Sequence, residues 1–135
     1  MEAWNFERSF VTTLFNHTIV AARDRKESST FFAEMFGLAP AEDSPIFSTV
    51  RLDGGVMFQF AEPGVEFPPQ HYAFLVTEED FDAIYGRITE RGLAHWADPR
   101  GEVSGRYNTN HGGRGVYFCD PSGHYLEAIT QPYRD

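Results

Sequence analysis

Strand-like and helix-like stretches alternate along the first half of the chain. Residues 15–21 combine β-branched and apolar side chains, which predicts a strand. Residues 26–36 carry apolar side chains at helical spacing and precede Gly37, so we expect a helix that ends at this glycine. Two further strand-like stretches, 46–52 and 56–60, complete this half.

Turn signals mark the hairpin of this half and its end. Asp53-Gly54-Gly55 separates the last two strand-like stretches and predicts a hairpin between them. Pro63, Pro68 and Pro69 follow, and prolines at this density are typical of a connector. A second group of elements is therefore expected beyond the prolines.

The second half repeats the order of the first. Residues 71–76 are strand-like, and residues 77–92 have helical spacing. Thr77 is a favourable helix-capping residue, and the three acidic side chains after it suit the positive end of the helix dipole. Strands are also expected over residues 93–97, 116–119 and 125–130.

This repeat predicts one domain of residues 1–135, built from a first module of residues 14–62 and a second module of residues 70–131. Because each half of the chain, of about 65 residues, would bury only a marginal core by itself, we expect the two modules to pack against each other or against a partner chain. The order of elements alone leaves the topology open, and a ferredoxin-like arrangement fits nearly as well.

Composition and charge narrow the classes of function. Hydrophobic residues make up 41% of the chain and charged residues 23%, as in ordinary globular domains. The chain has 11 basic and 20 acidic side chains, a formal net charge of −9, and no basic stripe. Nucleic acid and anionic membrane surfaces are therefore not expected as partners. No stretch approaches the roughly 18 apolar residues of a membrane span.

The expected compartment follows from weaker signals. Residues 1–13 lack the basic start and apolar run of a secretory signal, so we expect a cytoplasmic protein. The single cysteine, Cys119, leaves no internal disulfide to form, and no activating group lies beside it in sequence. We expect Cys119 to be a small buried residue rather than a nucleophile.

Three predicted strands each place one potential metal ligand on an otherwise apolar face. The ligands are His17, His71 and Glu127, and alternation along a strand puts each of them among apolar neighbours. Two imidazoles and one carboxylate form a site with open positions for Zn²⁺, Mn²⁺, Ni²⁺ or Fe²⁺. Without further support, hydrogen-bonded core or surface histidines are the more frequent explanation.

Longer motifs around these residues supply that support. Residues 16–20 (NHTIV), 71–74 (HYAF) and 117–127 (YFCDPSGHYLE) resemble the glyoxalase, bleomycin-resistance and extradiol-dioxygenase superfamily, also called the vicinal oxygen chelate superfamily. The fosfomycin-resistance thiol transferases have a similar His-Tyr-Ala-Phe strand and a similar Asp-Pro-x-Gly-His-x-x-Glu ending. The resemblance extends over residues 14–131.

The resemblance implies a fold, a cofactor and an assembly. The fold is α+β, with paired βαβββ modules forming a cupped mixed sheet. One divalent metal ion (Fe, Mn, Zn or Ni) would bind His17, His71 and Glu127 beside a small-molecule substrate. The resemblance also implies a homodimer with composite sites, in which His17 comes from one subunit and the other two ligands from the second.

Gln59 bears on which reaction is expected. It occupies the position at which glyoxalase I enzymes often carry a glutamate that binds the metal and moves protons. A glutamine can bind a metal through its carbonyl oxygen but cannot act as a base. Gln59 therefore counts against glyoxalase I chemistry, and a polar residue lining a wet pocket is an equal alternative.

A long polar loop, residues 98–113, also separates the chain from the fosfomycin enzymes. Those enzymes bind potassium through a loop with a lysine and serines, whereas this loop has no lysine and one serine, Ser104. The loop can instead bring His111 to the site, with Arg114 just beyond it as a contact for cofactor or substrate. His111 and Tyr117 are the candidate acid–base residues, by similarity to extradiol dioxygenases.

Two hypotheses follow from these residues. The first is a metal-dependent enzyme acting on a small oxygen-rich substrate, with dioxygenase-like chemistry ranked slightly ahead of glyoxalase-type isomerase or lyase chemistry and of thiol transfer. The second is a non-catalytic drug- or metabolite-binding protein of the bleomycin-resistance kind. His124, which lies on the opposite face of its strand from Glu127, is interpreted as structural in either case.

Overall fold

The structure is a computed structural model that describes residues 13–133. Residues 1–13, for which no secretory signal is expected, lie almost entirely outside this range. Two modules follow each other along the chain, and each contains one helix and one four-stranded sheet. Neither helix is long and apolar enough to cross a membrane, among the residues that the structure describes.

The first module has the order strand, helix and three strands. Its sheet has the order β1-β4-β3-β2, in which β1 runs parallel to β4 and the other pairs are antiparallel. The elements are β1 (His17–Ala21), α1 (Arg25–Phe36), β2 (Glu42–Asp43), β3 (Ser48–Arg51) and β4 (Met57–Ala61). The hairpin predicted at Asp53-Gly54-Gly55 is present and joins β3 to β4 through a 3₁₀ turn.

The second module repeats this order and sheet topology. Its sheet has the order β5-β8-β7-β6, again with one parallel pair, β5 and β8. The elements are β5 (His71–Leu75), α2 (Glu78–Glu90), β6 (His95–Trp96), β7 (Gly115–Cys119) and β8 (Tyr125–Ile129). Two mixed four-stranded sheets with one helix each confirm the predicted α+β fold of paired βαβββ modules and exclude the ferredoxin-like alternative.

The helix ends follow local sequence. Asp24 accepts hydrogen bonds from the backbone N–H groups of Lys26 and Glu27, so α1 begins one residue earlier than the apolar spacing predicts. Gly37 adopts the left-handed conformation, with φ of 67°, and ends α1 as expected. Thr77 caps α2, since its hydroxyl accepts a hydrogen bond from the Asp80 N–H.

One strand was not predicted. β2 consists of two acidic residues, Glu42 and Asp43, and lacks the β-branched or aromatic side chains that mark strands. Its pairing depends on the neighbouring strand: Asp43 accepts a hydrogen bond from the Ser48 hydroxyl, and Arg51 donates to Glu42. These contacts come from tertiary structure, which an alternation pattern does not record.

The hydrophobic core lies between the two sheets, on the side of each that carries its helix. The ring of Phe32 on α1 lies 5.1 Å from Phe58 of the first sheet and 5.3 Å from Phe74 of the second. A single cluster of buried apolar residues continues through both modules. Since both sheets bury the face that carries the helix, the opposite face of each sheet is turned away from the core. We call these two surfaces the outer faces.

Candidate metal centre

His71 and Glu127 form a close pair on the outer face of the second sheet. They lie on adjacent strands, β5 and β8, where Ala73 is the register partner of Glu127 and His71 shares its face with Ala73. The His71 Nε2 atom is 2.9 Å from Glu127 Oε1. The Glu127 side chain is 1% exposed and the His71 side chain 49% exposed. A buried carboxylate is thus opposed by an imidazole that solvent can reach.

The spacing of this pair fits two ligands of one divalent ion. Ligand atoms about 2.1 Å from a common ion, at right angles to each other, lie about 3 Å apart. The 2.9 Å between His71 Nε2 and Glu127 Oε1 is the length of a hydrogen bond between them and is also compatible with this value. Imidazole nitrogen and carboxylate oxygen also suit Zn²⁺, Mn²⁺, Fe²⁺ and Ni²⁺. These two residues therefore fit as part of a metal site.

Two tyrosines extend the pair. Tyr117 on β7 is the register partner of Glu127 and shares its face. Its hydroxyl lies 3.0 Å from that of Tyr133, and Tyr133 in turn donates a hydrogen bond to Glu127 Oε2. Because the Tyr133 proton goes to the carboxylate, Tyr117 is the donor to Tyr133. The order of donation is Tyr117 to Tyr133 to Glu127.

Burial and this hydrogen bonding set the protonation of both phenols. Burial raises the pKa of Tyr117, and its contacts with Tyr133 and Glu127 raise it further. Burial also raises the pKa of Tyr133, with a further contribution from its hydrogen bond to Glu127. Both groups therefore keep their protons at neutral pH and act as donors.

Tyr133 is the residue of this cluster that the sequence did not single out. It lies beyond β8 in a segment without regular structure, so no alternation relates it to Glu127. Its neighbour in space is His111, whose ring stacks on the Tyr133 ring at 4.4 Å between centroids. Nothing in the spacing of residues 111 and 133 indicates this contact.

His111 has an unusual backbone conformation. Its φ of 59° makes it the one non-glycine residue with positive φ in the part of the chain that the structure describes. Such a conformation costs on the order of 1 kcal/mol for a residue other than glycine. The structure thus brings His111 into the cluster through Tyr133, at the cost of a strained turn in the long loop.

His17 and Gln59 lie on the other sheet. His17 begins β1, and Gln59 on β4 is the register partner of Ile19, so both side chains belong to the outer face of the first sheet. His17 Nδ1 lies 2.7 Å from Asn16 Oδ1. No group of three His, Cys, Asp or Glu side chains able to hold a metal ion occurs within residues 13–133. A single chain therefore does not unite His17 with His71 and Glu127.

Arg114 is held on the helix side of the second sheet, away from the pair. Its guanidinium donates hydrogen bonds to the Glu78 and Asp82 carboxylates, each at 2.8 Å, and lies 4.4 Å from the centre of the Phe81 ring. The alternation of β7 explains this placement, since Arg114 is followed by Gly115 and so shares a face with Val116 rather than with Tyr117. The structure does not bring Arg114 to the site.

A cavity of about 500 Å³ opens beside His71. It reaches from the edge strand β5 toward the aromatic core, and apolar side chains form most of its wall. Among its lining residues are Phe15, Phe36, Phe58, His71, Phe74 and Leu75. A mostly apolar space with a polar group at one wall is the usual form of a small-molecule pocket.

The chain is similar to known proteins both in sequence and in structure. The chain is 33% identical over 119 residues to a glutathione transferase, FosA, from Serratia marcescens. The matched region covers 83% of this chain and 77% of that protein. The solved structure of Oxidase ChaP-H1 superposes with a TM-score of 0.89 at 49% identity, over 92% of this chain and 100% of that one. Oxidase ChaP-H2 superposes with a TM-score of 0.88, also at 49% identity, over 91% of this chain and 97% of that one.

A protein-family model also matches most of the chain. The model of the Glyoxalase/Bleomycin resistance protein/Dioxygenase superfamily matches residues 14–128. This range covers the first module and the second up to Ala128 of β8, and it includes His17, His71 and Glu127. It confirms the resemblance drawn from the His-Tyr-Ala-Phe and Asp-Pro-x-Gly-His-x-x-Glu motifs. The chain belongs to the glyoxalase, bleomycin-resistance and dioxygenase superfamily.

Proposed function

We propose that this protein is a divalent-metal-dependent enzyme that oxidises a small oxygen-rich substrate. The observation that carries the proposal is the His71–Glu127 pair, whose atoms are spaced for a shared ion on an accessible face. The relatives whose names describe an activity are enzymes, and two structures at 49% identity are those of oxidases. Oxidation is therefore ranked ahead of glyoxalase-type isomerisation and of thiol transfer.

The metal would be held by His71, Glu127 and the His17 of a second copy of the chain. His17 and the pair occupy the outer faces of different sheets, whose other faces share one core. The two half-sites therefore face away from each other within one chain. A partner whose first sheet lies over the second sheet of this chain would complete the ligand set.

The exposed apolar side chains support such a dimer. Ile19, on the outer face of the first sheet, is 58% exposed, and Leu75, on that of the second, is 60% exposed. Each lies on the same strand and face as a proposed histidine ligand. Covering both residues would remove apolar surface from water, which favours association.

The chemistry would be divided between the ion and the protein. A divalent ion with open positions supplies Lewis acidity toward a substrate oxygen when it is bound. Tyr117 keeps its proton, which it donates to Tyr133 here, and would turn it toward a charged oxygen of a bound substrate. His111, whose ring stacks on that of Tyr133, is the candidate to move protons, and Gln59 would contribute its amide from the face that carries His17.

A metabolite-binding protein is the second candidate, and the apolar cavity beside His71 favours it. A space of about 500 Å³ with a mostly apolar wall suits a flat apolar compound whether or not chemistry follows. The two candidates differ in their need for the ion. Binding without metal would require only the cavity, whereas the proposed enzyme requires the His71–Glu127 pair.

The test begins with protein purified without chelators. Its metal content is measured, the apo form is loaded with Fe²⁺, Mn²⁺, Ni²⁺ or Zn²⁺, and oxygen consumption is followed with a panel of catechols and hydroxyquinones. Fosfomycin with glutathione is the comparison assay for thiol transfer. We expect metal-dependent oxygen uptake with at least one phenolic substrate.

Two substitutions and one control make this test specific. His71→Ala and Glu127→Ala should abolish both metal uptake and turnover. Glu34→Ala removes a carboxylate that pairs with Arg91 on the surface, and it should leave both unchanged. Full metal occupancy in both ligand variants would contradict the proposal, and binding of aromatic compounds by metal-free protein without turnover would favour the second candidate.

A further inference from the structure

The two oxygens of Glu127 have different partners. Oε1 faces His71 Nε2 at 2.9 Å, whereas Oε2 accepts the hydrogen bond from the Tyr133 hydroxyl. A carboxylate without such a contact can turn to present either oxygen, or both, to an ion. The hydroxyl of Tyr133 thus engages one oxygen of Glu127 and leaves the other directed at His71.

The segment that carries Tyr133 is fastened to the end of the long loop. Thr130 and Arg114 exchange two hydrogen bonds: the Thr130 N–H donates to the Arg114 carbonyl at 2.9 Å, and the Arg114 N–H donates to Thr130 Oγ1 at 2.8 Å. Gly113 lies directly against this segment. A Cβ atom at position 113 would overlap Thr130 Oγ1 and fall 2.6 Å from the Cγ atom of Gln131. Only glycine permits this approach.

The loop also supports the Tyr133 ring itself. The His111 ring stacks on it at an interplanar angle of 25°, and His111 reaches this position in the left-handed conformation. Tyr133 is otherwise 58% exposed, so its ring contributes little to the hydrophobic core. Its three defined contacts are the stack with His111 and the hydroxyl contacts with Glu127 and Tyr117.

We propose that Tyr133 is a positioning residue for the metal ligand Glu127, held in place by His111 and Gly113 of the long loop. The inference rests on the proposed function, because it takes Glu127 as a ligand. The hydroxyl occupies Oε2 and keeps Oε1 directed toward His71. Hydrogen-bond partners of this kind fix the orientation of a ligand, and their loss typically weakens metal affinity about 10- to 100-fold.

The experiment measures binding of Co²⁺ alone, because its visible absorption reports the number and geometry of its ligands. Tyr133→Phe keeps the ring and the stack with His111 and removes only the hydroxyl. We expect it to weaken Co²⁺ binding by about tenfold or more and to change the Co²⁺ spectrum, since the freed oxygen can also reach the ion. Tyr133→Ala should be affected to a similar degree.

Gly113→Ala tests the support from the loop without changing any group at the site. It should displace residues 130–131 and weaken Co²⁺ binding in the same direction. Two matched controls should bind Co²⁺ within about twofold of the unchanged protein. Gly86→Ala adds a Cβ with no atom nearby. Tyr85→Phe removes a hydroxyl on α2 that is hydrogen-bonded to His95.

The outcomes separate this inference from the proposed function. Unchanged Co²⁺ affinity and spectrum in Tyr133→Phe, with binding lost in His71→Ala, would overturn the positioning role and leave the proposed function standing. Weaker Co²⁺ binding in Tyr133→Ala but not in Tyr133→Phe would also overturn it, since the ring rather than the hydroxyl would then matter. Equal Co²⁺ binding by the unchanged protein and by His71→Ala would contradict the proposed function and remove the basis of this inference.

Discussion

His124 Nε2 donates a hydrogen bond to the carbonyl oxygen of Ala21, 2.7 Å away and 103 positions distant in sequence. The other ring nitrogen, Nδ1, accepts a hydrogen bond from the Gln70 N–H at 2.9 Å, which places the proton on Nε2. The Phe67 ring stacks on the imidazole at 5.5 Å. One buried histidine of the second module thus satisfies backbone groups at the end of β1 and at the start of β5, as a structural residue would.

Replacing this histidine should destabilise the fold. His124→Ala removes a buried imidazole and leaves the partly buried Ala21 carbonyl and the Gln70 N–H without their partner, and each lost hydrogen bond costs about 1 kcal/mol or more. We expect the free energy of unfolding to fall by about 3 kcal/mol, measured by urea denaturation. A loss below about 1 kcal/mol would show that the imidazole does not join the modules.

Asp98 gives the long loop a dependence on pH. Its Oδ1 accepts hydrogen bonds from the N–H groups of Glu102 at 2.9 Å and of Val103 at 2.7 Å, and these bonds hold the pKa of Asp98 below its usual value. The folded-state pKa is thus lower than that of the unfolded chain, about 3.9. The stabilisation is present above that pH and is lost as the pH falls through the folded-state pKa.

The measurement is an NMR titration of the Asp98 carboxyl carbon, combined with hydrogen exchange at the Val103 amide. We expect a midpoint below about 3.9 and a loss of Val103 protection over the same pH range. Asp98→Asn keeps an acceptor oxygen without a titrating proton. In this variant the Val103 amide should therefore keep the same protection across that pH range. A normal carboxyl midpoint would contradict the assignment.

Arg114 is expected to act on stability rather than on the metal. Its hydrogen bonds to Glu78 and Asp82 join the start of β7 to the start of α2, and its guanidinium covers the Phe81 ring. Arg114→Lys loses the two-pronged geometry and should lower the free energy of unfolding by about 1 kcal/mol, since both carboxylates are exposed. Co²⁺ affinity should stay within about twofold, and a larger loss would place Arg114 at the site after all.

Much of the fold could be predicted from local sequence, because its signals are local. Alternation along the strands placed His71 and Glu127 each on an otherwise apolar face. Thr77 and Gly37 marked helix ends, because their own chemistry favours those positions. The same alternation, extended to the residue just before β7, would have placed Arg114 on the helix side.

The rest of the candidate site depends on contacts that produce no periodic pattern in the sequence. Tyr133 lies in a segment without regular structure that contacts Glu127 and that packs closely against Gly113 of the loop. His111 stacks on Tyr133 from a left-handed backbone conformation that the spacing of residues does not reveal. Such tertiary contacts become visible only in coordinates.

The central claim is that each metal ion is held by His71 and Glu127 of one chain and by His17 of another. Mixed dimers test it most directly. His17→Ala and His71→Ala chains, each with a different affinity tag, are refolded together, and dimers carrying both tags are isolated. Their tightly bound metal is then compared with that of each variant alone.

The composite arrangement predicts recovery. In a mixed dimer, one site lacks both histidines, and the other combines His17 of one chain with His71 of the other. We therefore expect one tight metal ion per mixed dimer, where neither variant alone binds any. Mixed dimers that bind no more metal than their parents, or chains that remain monomeric, would contradict the account.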